Sequence, residues 1–206
     1  MNLNLGDTQL IIKEARKHGL SLHETAYVLA TAYHETAHTM KPVREYGGEK
    51  YLRSKKYYPY VGMGYVQLTW DYNYKKAGQK LGVDFMSNPA LLLEPKYAAP
   101  ILVIGMKEGW FTGKNLKDYV DDLDEDDRED LREFSNARRI INGTDRQVHI
   151  GQIALKYEQA LKDAEFGSKP APIPTQKPVE SVPDKEATYT TPWWIKLLLA
   201  LLRGGK

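Results

Sequence analysis

At Gly167 the sequence changes character, and that change decides where a folded body can form. From there to Pro192 the chain carries Pro170, Pro172, Pro174, Pro178, Pro183 and Pro192 among Ser, Thr and Lys. Proline removes backbone donors and small polar side chains bury little apolar surface, so such a stretch stays extended and builds no core. The core must come from residues 1–166, and residues 167–188 read as a Pro-rich linker. Beyond it lies Trp193-Trp194-Ile195-Lys196-Leu197-Leu198-Leu199-Ala200-Leu201-Leu202-Arg203. As a helix rising about 1.5 Å per residue, this run covers about half of a bilayer core and is too short to span it. Paired tryptophans with Lys196, Arg203 and Lys206 suit an amphipathic helix lying in an interface. Residues 189–206 are therefore expected to engage an anionic membrane or lipopolysaccharide, with docking back on the body or pairing with a second copy as the plainer alternative.

Charge and cysteine content narrow the classes further. Lys plus Arg number 29 against 27 Asp plus Glu, and after Gly167 six cations face three carboxylates, so the excess positive charge belongs to the tail. That balance argues against a nucleic-acid protein. The absence of cysteine excludes disulfide frameworks, thiolate zinc sites, iron-sulfur clusters and cysteine nucleophiles. Asp7, Lys13, Glu14, Arg16 and Lys17 interrupt the first 19 residues, which therefore lack the apolar stretch of a secretory signal. Synthesis in the cytoplasm without Sec export is expected.

Helix-length apolar patterns with recognisable starts and stops recur through residues 1–166. Asp7 is placed to cap a first helix that Gly19 ends. Ser21-Leu22-His23-Glu24 is a capping box, and Leu22, Ala26, Leu29, Ala30, Tyr33 and Ala37 continue at helical spacing until Pro42. Residues 57–68 are aromatic and β-branched, punctuated by glycine and proline, which suits a short hairpin or irregular platform. Further helices are predicted at 70–81 with Gly82 as stop, at 97–110, and at 145–164 behind an Asn142-Gly143-Thr144 turn. The acidic run 118–130 reads as a solvated loop or fraying helix. Asp122, Asp124, Asp126 and Glu133 match EF-hand carboxylate spacing, but Asp127 stands where that loop needs glycine, which argues against calcium.

Two chemistries compete for one motif. His34-Glu35-Thr36-Ala37-His38 satisfies H-E-x-x-H, in which two histidines a helical turn apart hold zinc and the glutamate activates its water. Alternatively Glu35 acts as a carboxylic acid with a partner carboxylate downstream, as glycoside hydrolysis requires. Thr31, Ala32 and Thr39 near Glu35 predict an apolar setting favouring the protonated acid. Spacing alone leaves the partner open between Glu45 and Glu49. Tyr57, Tyr58, Tyr60, Tyr65, Trp70, Tyr72 and Tyr74 supply aromatic faces of the kind that pack on sugar rings.

The combination of His34-Glu35-Thr36, Glu45-Tyr46-Gly47-Gly48, the run Gly62-Met63-Gly64-Tyr65-Val66-Gln67-Leu68-Thr69-Trp70-Asp71-Tyr72-Asn73-Tyr74, and Ala137-Arg138-Arg139-Ile140-Ile141-Asn142-Gly143 resembles glycoside hydrolase family 19. Within it, the likeness is to bacteriophage endolysins that share the chitinase fold. The resemblance implies a mainly α, lysozyme-like fold with a small irregular β-hairpin. It implies an inverting glycosidase that cuts the β-1,4 bond of peptidoglycan, with Glu35 as general acid, Glu45 as general base and Thr69 holding the attacking water. Gln67, Asn73 and Asn142 match substrate-contacting positions, and Tyr65 and Trp70 are added as aromatic contacts. No cofactor or metal is implied; the expected partner is the glycan strand, and the expected state a monomer made in the host cytoplasm and acting in the periplasm after membrane permeabilisation.

One departure concerns charge: Met63 replaces the arginine of the family's Gly-Arg-Gly, with Arg44 and Arg53 as candidate substitutes. His38 is expected on the helix face rather than as a ligand. A zinc peptidase acting on stem peptides and a non-catalytic wall-binding protein remain the alternatives.

Overall fold

The computed structural model describes residues 1–123 and 126–166; the linker and amphipathic tail inferred for 167–206 lie outside the described residues. The fold is mainly α with one small antiparallel sheet. Helices α1 (Thr8–Lys17) and α2 (Leu22–Glu35) lead to strand β1 (Val43–Arg44), α3 (Glu49–Arg53), strand β2 (Met63–Gly64) and α4 (Asp71–Leu81). Helices α5 (Pro95–Glu108), α6 (Asp127–Ala137) and α7 (Gln147–Asp163) complete it.

The starts and stops follow local chemistry. Ser21 caps α2: its hydroxyl accepts from the Glu24 N–H at 3.1 Å while the Glu24 carboxylate accepts from the Ser21 N–H at 3.0 Å. Gly82 and Gly109 end α4 and α5 in the left-handed region, at φ 66° and 70°, where a glycine carries no Cβ penalty. Helix α5 begins at Pro95 because a first-turn residue needs no N–H partner.

Four expectations are corrected. Asp7 precedes α1 but does not cap it with its side chain; its Oδ2 instead accepts from the Tyr65 hydroxyl at 2.8 Å. Helix α2 stops at Glu35 rather than at Pro42. There the Thr36 hydroxyl donates to Ala32 O at 2.7 Å and accepts from Met40 N at 3.0 Å, and Ala37, His38 and Met40 take positive φ. Such local side-chain bonds offer the backbone an alternative to the helical ladder. The platform strand β2 pairs not mainly within 57–68 but with β1, Val43 opposite Gly64 and Arg44 opposite Met63, while a Met63–Leu68 bridge closes the local loop. Finally, the acidic run starts a regular helix. The Asp126 carboxylate accepts from Arg128 N and Glu129 N, and the negative first turn of α6 complements its dipole. Because helix begins at Asp127, Asp126 and Glu133 do not lie around an EF-hand loop.

Buried side chains form two clusters. One, from α1, α2, α5, α6 and α7, includes Tyr27, Leu29, Leu102, Phe134, Ile150 and Tyr157. The other, from α3, β2, α4 and the far side of α5, includes Leu52, Val61, Tyr74, Phe85, Ile101 and Ile104. Helix α5 is apolar all round because both clusters pack on it. A cavity lined by Gln67, Thr69, Trp70 and Asn73 takes Val66 from the first cluster and Leu68 from the second. Replacing Ser21 with Ala removes the α2 cap and is expected to cost about 1 kcal/mol of stability, read from the shift in urea midpoint at unchanged slope.

Candidate active site

Glu35 is the last residue of α2, so its carboxyl group projects from a helix end rather than from an apolar helix face. Its Oε1 accepts from Arg138 Nη1 at 2.6 Å, with the two side chains 20% and 2% exposed. The expected apolar setting is therefore corrected: the nearest partner is a buried guanidinium. Arg138 opens the short 3-10 turn that follows α6; its Nε donates to Asp145 O at 3.1 Å and its carbonyl accepts from Asn142 N at 3.0 Å. The 142–145 turn thus wraps the arginine. Asn142 itself is exposed beside it.

Beside this pair, burial lowers the pKa of His34, its Nδ1 is buried without a hydrogen-bond partner, and its ring lies 6.0 Å from that of His149. His38 is not on a helix face with His34. It lies past the helix end at φ 67° and stacks on Tyr33 at 4.5 Å. The helical spacing that H-E-x-x-H zinc binding requires is broken between the histidines.

Glu45 follows β1 and is fixed from the other cluster. Its Oε1 accepts from the Tyr57 hydroxyl at 2.6 Å, its Oε2 from Gly62 N at 3.0 Å, and its own N–H donates to Gly62 O at 2.7 Å. Donating to the Glu45 carboxylate pushes the Tyr57 hydroxyl up to about 12, so it stays a donor. Glu49, the competing candidate, is exposed and engaged by Tyr58 at 2.8 Å and by Arg44 and Arg53 at 3.2 and 3.4 Å. Those bonds, the Tyr58 hydroxyl first, hold its carboxyl below the usual range. Arg44 and Arg53, the candidate substitutes for an arginine at position 63, both lie on Glu49, whereas the guanidinium at Glu35 belongs to Arg138.

Gln67, Thr69, Trp70 and Asn73 line one concavity of about 220 Å³ together with Tyr72 and Ile141. The Thr69 hydroxyl donates to Gln67 O at 2.7 Å, and Asn73 Nδ2 donates to Thr69 O at 2.9 Å. Gln67 Nε2 donates to Val43 O at 2.9 Å, tying the cavity wall to the strand that carries Glu45. Trp70 holds φ 77°, a strained value for a bulky residue, and stays 39% exposed, stacked with Tyr72 at 6.2 Å and edge-on to Tyr57 at 5.4 Å. Tyr65 is corrected: at 1% exposure, bonded to Asp7, it is a core residue with no face to offer a ligand.

Glu35 and Glu45, held by separate parts of the fold, and a cavity lined with aromatic rings, a hydroxyl and amides supply the group types that glycoside hydrolysis uses. Comparison with known proteins agrees. Residues 21–112 match chitinase class I, glycoside hydrolase family 19. Plant homologues include chitinase 11 of Oryza sativa subsp. japonica, 35% identical over 94 residues, covering 41% of this chain and 36% of that protein. An endochitinase of Arabidopsis thaliana is 28% identical over 136 residues, 63% of this chain and 42% of that one. The inactive chitinase-like protein 1 of Hevea brasiliensis is 53% identical over 38 residues, 18% and 11% of the two chains. The chain thus spans less than half the length of these relatives. No solved structure matches it.

The family match ends before Arg138, a residue whose importance only the geometry reveals. Because Arg138 is the more buried partner, loss of its counter-charge should cost more than its own removal. Glu35→Leu is expected to destabilise the fold by about 3 kcal/mol or more and Arg138→Met by less, since Glu35 reaches water. Equal losses in chemical denaturation would show that the pair contributes only as packing.

Proposed function

We propose that this protein is a glycoside hydrolase that cuts the β-1,4 bond of bacterial peptidoglycan as an endolysin does. The observation that carries the reading is the pairing of Glu35 with buried Arg138, together with a Glu45 held separately by Tyr57 and Gly62. Arg138 occupies Oε1 of Glu35, leaving Oε2 to carry the proton passed to the leaving oxygen. Once that proton has gone, the guanidinium faces the resulting carboxylate and stabilises it. Glu45 serves as the base that takes a proton from water, and Thr69, its hydroxyl donating to Gln67 O, offers lone pairs to that water. Inversion follows from single displacement. Trp70 and Tyr72 offer stacked ring faces to sugar, with Asn73 and Asn142 supplying polar contacts.

A second substrate, chitin, is favoured by the plant relatives, whose names describe chitinases. Purified peptidoglycan and chitin oligosaccharides, assayed in parallel for new reducing ends and new amino groups, decide between them. Reducing ends from peptidoglycan are expected. Amino groups alone would favour a stem-peptide peptidase, and binding without either product a wall-binding protein. Glu35→Gln keeps an acceptor for Arg138 while removing both the acid and the counter-charge, so turnover should fall by about 10²- to 10⁴-fold, with a lowered thermal midpoint but folding intact at the assay temperature. Near-normal turnover would end the proposal.

The tail belongs to the same reading on its sequence. Deleting residues 189–206 is expected to spare cleavage of isolated peptidoglycan and to reduce lysis of cells or leakage of anionic vesicles. Equal loss on isolated and membrane-bounded substrates would assign the tail to the fold.

A further inference from the structure

Away from the cleft, His23 near the start of α2, Asp130 in the first turn of α6 and Glu158 on α7 converge in the interior, at 7%, 3% and 4% exposure. Their ligand atoms all lie within 4.8 Å of one another. His23 Nε2 stands 3.6 Å from Glu158 Oε1, too far for a hydrogen bond, and neither His23 Nε2 nor Asp130 Oδ2 has a hydrogen-bond partner. His23 keeps only an ionic contact with Glu158, and buried polar atoms left without a hydrogen bond are destabilising and call for a physical occupant. Lys162 neutralises part of the cluster from its outer side, 2.6 Å from Glu158 Oε1 and itself partly exposed.

We propose that His23, Asp130 and Glu158 form a structural site for a divalent transition cation of the zinc type. One imidazole and two carboxylates carry the charge that balances a dication, and imidazole selects zinc over magnesium or calcium. Bonds of about 2.0–2.2 Å to a tetrahedral ion place ligand atoms about 3.3 Å apart, so the present spacing closes with small side-chain rotations. The fourth position is left to water, and Lys162 remains an outer partner of Glu158. The ion would pin α2, α6 and α7 to one another, and α6 leads directly into Arg138.

The test uses the full chain, stripped with chelator, loaded with zinc chloride and desalted. About one zinc retained per chain is expected, with a thermal midpoint raised by about 5 °C or more at saturating zinc. Asp130→Asn and His23→Gln should weaken retention at least tenfold, whereas His38→Gln should not. Absence of retained zinc, or loss of it in His38→Gln instead, would overturn the site. Should the two ligand variants fail to fold, X-ray absorption of the zinc-loaded wild type decides: one imidazole with oxygen donors is expected, and two imidazoles would overturn it.

Discussion

A guanidinium cannot be deprotonated at ordinary pH, so an arginine buried to 2% exposure obliges the fold to bring it a carboxylate and fixed acceptors. Arg138 receives Glu35 from 103 residues away and the Asp145 carbonyl from the turn just after it. Three pieces of chain are thereby held in register: the end of α2, the end of α6 and the 142–145 turn. The same constraint ties stability to chemistry. A residue on which packing depends sets the position and ionic surroundings of the carboxyl proposed as the acid.

Glu45 is held by hydrogen bonds and rings rather than by a buried ion pair. Glu45 has one donor on each oxygen, and the donor hydroxyl belongs to Tyr57, whose ring meets the edge of Trp70. Trp70 in turn holds a backbone conformation that few bulky residues adopt, with its N–H donating to Tyr60 O at 3.0 Å. Strain of this kind persists only where the surroundings over-determine it, and here it aims an indole at the cavity rim. A ligand that pressed on Trp70 would therefore load the same ring system that fixes Glu45.

What could be read beforehand follows from how locally each feature is determined. The capping box at Ser21, the stop at Gly82 and the apolar periodicity are short-range, and the sequence displays them directly, whereas the helix predicted for 97–110 in fact ends at Glu108, before Gly109. The end of α2 was less legible because apolar spacing runs on through Ala37, whereas the Thr36 hydroxyl redirects the backbone. Helix α6 was obscured by its own charge: an acidic run looks self-repelling until Asp126 is seen as its cap. Glu35 drew attention through its own short motif and Glu45 through the resemblance, and Gln67, Thr69, Trp70 and Asn73 share one cavity. Tyr65 misled because an aromatic residue in a sugar-binding type of segment looks the same whether it faces ligand or, as here, Asp7. Arg138 had no local signal for its partner; a long-range ion pair is a property of topology.

Helix α2 joins these strands of argument. Its 14 residues run about 21 Å, with buried alanines and Val28 in the middle and a titratable group met by the α6–α7 layer near each end. At the C-terminal end the partner is Arg138, a cation meeting the Glu35 carboxylate. Toward the N-terminal end His23 meets Asp130 and Glu158, two carboxylates about an imidazole. Apolar packing of small side chains is non-directional and by itself tolerates sliding of one helix along another. The charged pair at the C-terminal end is not tolerant, because displacement by one residue strands buried Arg138 without its carboxylate, and at the other end it would part the ionic contact of His23 with Glu158. The register of α2 against α6 and α7, and with it the position of Glu35, is on this view set by polar contacts at the two ends rather than by the apolar layer between them.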